Sequence, residues 1–117
     1  MSERAAPDWR PSATREALLL RAEVLARIRA FFAARGVPEV ETPILSQVGN
    51  TDPNIRSFRT RYRRGDAGEA TCWLRTSPEF ALKRLLAAGF GDCYELGRVF
   101  RDAEAGRRHN PEFTLLE

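Results

Sequence analysis

Lysine is nearly missing from these 117 residues: Lys83 is the single one among 19 basic side chains, so the net charge of +3 rests almost wholly on arginine. Usage that is rich in Arg and Ala reflects coding bias as readily as a nucleic-acid surface, and it does not require a basic patch. Long apolar runs are missing too. None approaches the roughly 18–20 residues of a membrane span, and Met1-Ser2-Glu3-Arg4 leads into no apolar stretch of an export signal. A cytoplasmic setting is therefore expected, with Cys72 and Cys93 as reduced thiols. Those two cysteines and the lone His109 are spaced too widely for a zinc site, and no metal-ligand set is assigned. Neither common glycine-rich phosphate loop occurs. No Ser or Cys stands beside a His in a nucleophile context. What remains is 43% apolar and 30% charged, the make-up of an ordinary globular chain with room for one domain or slightly less.

Periodicity predicts an α+β chain. Residues 1–11, with Pro7 and Pro11 flanking Trp9, read as an arm. From Thr14 to Arg35, Leu18, Ala22, Leu25, Ile28 and Phe32 recur at three- and four-residue steps, which predicts one long amphipathic helix. Ser12 or Thr14 can cap its start and Gly36 its end. Val37–Leu45 reads as extended, with Pro43 at an edge, an end or an interface because it cannot donate to a ladder. A polar loop, 46–54, follows. Phe58, Thr60 and Tyr62 then alternate with Arg59, Arg61 and Arg63, the period of a half-exposed strand. The turn 64–69 leads to its partner, Thr71–Arg75. A second helix is predicted from Thr76-Ser77-Pro78-Glu79, with a hydroxyl cap, proline in the first turn and an acid at the positive end; Gly89 stops it. Two strands close the chain: 93–101, with Glu95, Gly97, Val99 and Arg101 on one face, and 112–117.

The loop between those strands concentrates polar function: Arg101, Asp102, Glu104, Arg107, Arg108, His109, Asn110 and Glu112. A guanidinium fixed at a strand end can grip a phosphate or carboxylate at two points. An Arg-, His- and Asn-rich hairpin would suit a nucleoside triphosphate; it would equally serve as a solvated loop. Glu79 could bind an ammonium group or only favour the helix dipole. Residue spacing alone leaves both pairs of readings open.

The long helix followed by Gly36-Val37-Pro38-Glu39-Val40-Glu41-Thr42-Pro43 resembles motif 1 of the class II aminoacyl-tRNA synthetases. Phe100-Arg101-Asp102 with Arg108-His109-Asn110-Pro111-Glu112-Phe113-Thr114-Leu115-Leu116-Glu117 resembles their motif 2 in its lysine-type form. Ser77-Pro78-Glu79 with Lys83-Arg84-Leu85 is similar to the segment between the two. The resemblance runs from about Ser12 to Glu117. Only a dozen residues precede the helix, where a lysyl-tRNA synthetase carries an anticodon-binding domain. That feature, the Thr51-Asp52 loop and the Phe58–Arg61 strand resemble the stand-alone relatives that attach (R)-β-lysine to elongation factor P.

The resemblance implies a class II catalytic core with a motif 1 helix and an antiparallel sheet carrying the motif 2 hairpin, over residues 12–117 and cut short before motif 3. It implies an ATP- and Mg²⁺-dependent ligase that activates lysine or (R)-β-lysine and transfers it to elongation factor P. The magnesium ligands would lie outside this stretch, and the stretch alone would be inactive. Arg101 would be the catalytic residue, holding the α-phosphate. Asp102, His109, Asn110 and Phe113 would bind ATP, with His109 toward the γ-phosphate and Phe113 under the adenine. Ser77, Pro78 and Glu79 would bind the amino acid, and Pro43 would lie at a homodimer interface. One departure stands out: Ala103 replaces the usual motif 2 glutamate, and Glu104 follows one place later. Two rivals remain, a lysyl-tRNA synthetase fragment that charges lysine tRNA and a non-catalytic synthetase-like binding module.

Overall fold

The computed structural model describes residues 6–102 and 106–117. It divides into two compact units, one ending at Arg35 and one comprising Gly36–Glu117. The Ala103 departure and Glu104 lie outside the described residues.

The first unit is built on α1, Arg15–Ala33. Of the two candidate caps, Thr14 takes the role: its hydroxyl accepts from the Ala17 N–H at 3.1 Å, satisfying one of the first-turn amides that have no partner within the helix. Gly36, at φ +68°, stops it as predicted. A Glu23–Arg27 pair one turn apart (2.6 Å) lies on its surface, and Arg35 stacks on the Phe31 ring at 3.5 Å. No residue of α1 is buried; Leu25, Ile28 and Phe32, at the C-terminal end of the predicted stripe, are half-covered. No helix among the described residues is long and apolar enough to cross a membrane.

The second unit holds two small antiparallel sheets rather than a single one. In the first, β1 (Leu45–Ser46) and β2 (Arg59–Arg63) flank β3 (Glu69–Leu74). The β2–β3 hairpin has the predicted pairing, from Arg59 opposite Trp73 to Arg63 opposite Glu69, and a 3₁₀ turn at Gly65–Ala67 joins the strands. The expectation of a half-exposed β2 is not met: all five of its residues are exposed. Alternation reports which residues share a face, but not whether another layer covers it. The extended segment before β1 joins a ladder only at Leu45–Ser46, apart from an isolated parallel bridge between Glu39 and Tyr94.

The second helix, α2, spans Glu79–Ala87, three residues later than the predicted start. Pro78 occupies the cap position and has no side-chain donor or acceptor to offer. Instead the Ser77 hydroxyl accepts from the Glu79 N–H at 3.2 Å. At the other end, Gly89 (φ +83°) lets its own N–H reach the Leu86 carbonyl while Phe90 N–H reaches Leu85, the double bond of a Schellman stop.

The second sheet pairs β4 (Leu96–Phe100) with β5 (Glu112–Leu116), from Leu96 opposite Leu116 to Phe100 opposite Glu112. Glu95 and Glu117 exchange two further backbone bonds beyond the strand ends. The best-covered side chains follow from the 95–97–99 face: Val99 is fully buried and Glu95 is 2% exposed. Tyr94, Leu82 and Cys72 complete the apolar core.

Candidate active site

Residues that the sequence separates meet around Arg75, which directly follows β3. Its backbone N–H donates to the Ile44 carbonyl (3.0 Å), and its own carbonyl accepts from Phe100 N–H (2.9 Å). The side chain is 7% exposed and forms an ion pair with Glu95. Its Nε donates to the Arg98 carbonyl (2.9 Å) and its Nη1 to the Thr42 carbonyl (3.2 Å) and hydroxyl (3.0 Å). Glu95 Oε1 in turn accepts from the Thr42 N–H (2.9 Å) and hydroxyl (2.5 Å). Among the described residues no fully buried side-chain nitrogen or oxygen lacks a partner, the condition on which a desolvated charge pair survives. Gly97 makes room for it, because a Cβ there would stand 2.7 Å from Arg75 Nη2.

The residue after Arg75 reaches the site itself. The Thr76 carbonyl accepts from Arg101 Nε at 3.3 Å, and the Arg101 guanidinium lies 5.1 Å from the centre of the Phe113 ring. No carboxylate among the described residues pairs with Arg101. A cleft of about 570 Å³ opens beside it, lined by Thr76, Ser77, Glu79, Arg101 and Glu117 together with the Asn50–Asp52 loop. That loop is tied down by its own side chains: Asn50 Nδ2 donates to the Ile55 carbonyl (3.1 Å), and Asp52 Oδ1 accepts from Asn54 N–H (2.8 Å).

The cleft has one cation, Arg101, and three carboxylates, Asp52, Glu79 and Glu117. Burial holds the Glu117 carboxyl above its ordinary range and the negative charge of Glu79 pushes it the same way, while Arg101 and Lys83 pull it back. Glu79 also accepts from Lys83 one turn on (2.8 Å), and that bond raises the lysine above its usual range. Such an arrangement suits a zwitterionic guest: an anionic group at Arg101 and an ammonium group between Glu79 and Glu117.

Of the residues singled out from sequence, the cleft brings together Ser77, Glu79 and Arg101, with Phe113 in contact through the Arg101 guanidinium. Pro78 and Pro43 line a neighbouring cleft of about 360 Å³ instead. His109 and Asn110 lie exposed in the hairpin turn, where His109 N–H bonds to the Gly106 carbonyl (3.3 Å). Asp102 is half-buried and its N–H donates to the Arg56 carbonyl (2.8 Å). Sequence reasoning missed Arg75, Thr42, Glu95 and Glu117. An acid on the otherwise uncharged 95–97–99 stretch of a strand face was the available signal for Glu95; nothing local marks Arg75 as its partner.

Residues 2–117 match the family model of tRNA synthetases class II (D, K and N). The chain belongs to that family. Among curated proteins it is similar to "Elongation factor P--(R)-beta-lysine ligase" of Yersinia enterocolitica, 56% identical over 118 positions, covering 100% of this chain and 36% of the relative. The protein of that name from Photorhabdus laumondii is 57% identical with the same coverage, and the one from Pasteurella multocida is 53% identical over 94% of this chain and 34% of its own length. The chain therefore spans about a third of the length of the curated relatives it matches.

Proposed function

We propose that this chain contributes the motif 1 and motif 2 part of an ATP-dependent ligase that activates lysine or (R)-β-lysine as an adenylate and passes it to a lysine of elongation factor P. The observation that carries the proposal is the convergence of Arg101 with Glu79 and Glu117 on one cleft; the names of the relatives supply the acceptor. The ammonium groups of the amino acid would sit against Glu79 and Glu117, with Ser77 and Pro78 shaping the turn. Arg101 would hold the α-phosphate of ATP. A carboxylate oxygen of the amino acid then bonds to the α-phosphorus, the bond to the β-phosphate bridge breaks, and pyrophosphate leaves. A fixed guanidinium stabilises the charge gathering on that phosphate. In the second step the acceptor amine attacks the adenylate carbonyl, AMP departs, and the amine loses a proton.

The remaining assignments belong to the same proposal: Asp102, His109, Asn110 and Phe113 toward ATP, Pro43 at a homodimer interface. Phe113 already presents its ring to the Arg101 guanidinium, so an adenine stacked on it would lie close to the phosphate grip. Magnesium is a different matter. No group of three or more His, Cys, Asp or Glu among the described residues could hold a metal ion, so these residues do not fit it.

The test uses the protein at the length of its relatives. ATP–pyrophosphate exchange is measured with (R)-β-lysine and with lysine, and transfer is measured with elongation factor P and lysine tRNA offered in parallel. Exchange followed by labelling of the factor supports the proposal. Labelling of the tRNA alone would make it a lysyl-tRNA synthetase, and absence of exchange would make it a binding module. Light scattering of the same protein should give a dimer.

A further inference from the structure

The buried Arg75–Glu95 pair lies outside the cleft, yet it is bonded to segments that lead into it. Thr42 precedes Pro43; Arg98 and Phe100 lie on β4, which leads directly into Arg101; and Arg75 itself leads into Thr76-Ser77-Pro78-Glu79. The pair is costly to bury. Well-packed apolar residues of similar volume often match or exceed a buried ion pair in stability, so stability alone does not account for it. What an apolar pair could not do is fix direction. Arg75 spans four acceptor atoms on two other segments through a planar fork, and its backbone carbonyl is held by Phe100 N–H at the same time. The adjoining Thr76 carbonyl thereby acquires a fixed place, and from that place it receives Arg101 Nε. Gly97 keeps open the space the fork needs.

We propose that Arg75 is a positioning residue: locked by Glu95, Thr42 and the Arg98 carbonyl, it sets the distance between the Arg101 guanidinium and the Ser77–Glu79 turn. It touches no guest. Its effect reaches the chemistry through Thr76, by holding the phosphate grip and the ammonium site in the relation that in-line attack requires. The inference rests on the adenylation reading of the cleft for its consequence, but not for its geometry.

Two variants test it. In Arg75→Met/Glu95→Leu the charges are replaced by apolar groups. In Arg75→Lys the ion pair with Glu95 is kept, but a single ammonium cannot also span Arg98 and Thr42. The first readout is amide hydrogen exchange in the 117-residue chain. Phe100 and Glu79 amides, bonded to the Arg75 carbonyl and the Ser77 hydroxyl, should exchange about tenfold faster in both variants. The Thr60 and Cys72 amides of the β2–β3 hairpin should keep their wild-type rates. The second readout is pyrophosphate exchange in the protein at the length of its relatives: kcat should fall by about tenfold or more while the KM values for ATP and amino acid stay within about threefold. Unchanged Phe100 and Glu79 exchange, or acceleration spread equally over the hairpin, would overturn the proposal, the latter because Arg75 would then be merely structural. Unchanged kcat would overturn it as well. If the amides respond but the wild-type protein catalyses no exchange with any lysine analogue, the positioning stands and the ligase reading fails.

Discussion

Gly97 stands where a side chain would collide with Arg75: a Cβ at residue 97 comes within 2.7 Å of Nη2. The far end of an arginine usually swings aside at little cost. Here Nε and Nη1 are already committed to Arg98, Thr42 and Glu95 in a site only 7% exposed, so the whole fork must move. Gly97→Ala should therefore destabilise the second unit by about 1–3 kcal/mol, the range for overpacking, measured by urea denaturation. A loss within error would mean that the guanidinium is not held.

Arg101 separates binding from folding. Its protein contacts are one long bond to Thr76 and the Phe113 ring, so Arg101→Ala should cost about 1 kcal/mol of stability or less. In the protein at the length of its relatives it should slow adenylate formation by about 100-fold or more, as loss of a preorganised charge-stabilising group does. Pyrophosphate exchange at near wild-type rate would remove Arg101 from the phosphate.

Glu79 has two roles to distinguish. At the start of α2 it favours the helix dipole and pairs with Lys83, and it also lines the cleft. If it receives the substrate ammonium, Glu79→Gln should raise the amino-acid KM strongly and leave the ATP KM nearly unchanged. A helix role alone would cost about 0.3–1 kcal/mol with ordinary kinetics. Comparing both KM values with the melting midpoint decides.

The fold was largely legible wherever a local rule sufficed. Thr14 and Gly36 bound α1 because capping and left-handed stops depend on neighbouring residues alone. The pairing of Arg59–Arg63 with 69–73 follows from a short turn between alternating runs. Ser77, Glu79 and Arg101 were singled out by motif resemblance, and the structure places all three on the lining of one cleft. Cover was not legible: β2 alternates as a half-buried strand would, and is exposed on both faces. Nor was the Arg75–Glu95 pair, because Arg75 follows β3, Glu95 precedes β4 and the two are joined through Thr42, far upstream. Each alone reads as one more charge in a charged chain. Alternation puts Glu95 on the face of Val99, but only the fold shows that this face is buried.

Glu117 makes stability depend on pH in a direction opposite to that of a salt-bridged acid. Burial and the nearby Glu79 charge raise its native value above the ordinary 4.5. Between the unfolded value and the raised native one, the folded chain binds more protons than the unfolded chain, so stability falls as pH rises. The contribution is fully present below about pH 4.5 and is lost as pH climbs through the native value. Glu117→Gln keeps the shape and removes the titration. Urea denaturation from about pH 4 to pH 7 should therefore show the wild type losing ground to the variant across that window. An ammonium ligand held between Glu79 and Glu117 lowers the same carboxyl and releases its proton, so lysine should bind the wild type more tightly as pH rises through the window. That trend should vanish in Glu117→Gln. Wild-type and variant stability curves that run parallel would show that Glu117 feels neither burial nor Glu79, and the ammonium site would then rest on Glu79 alone.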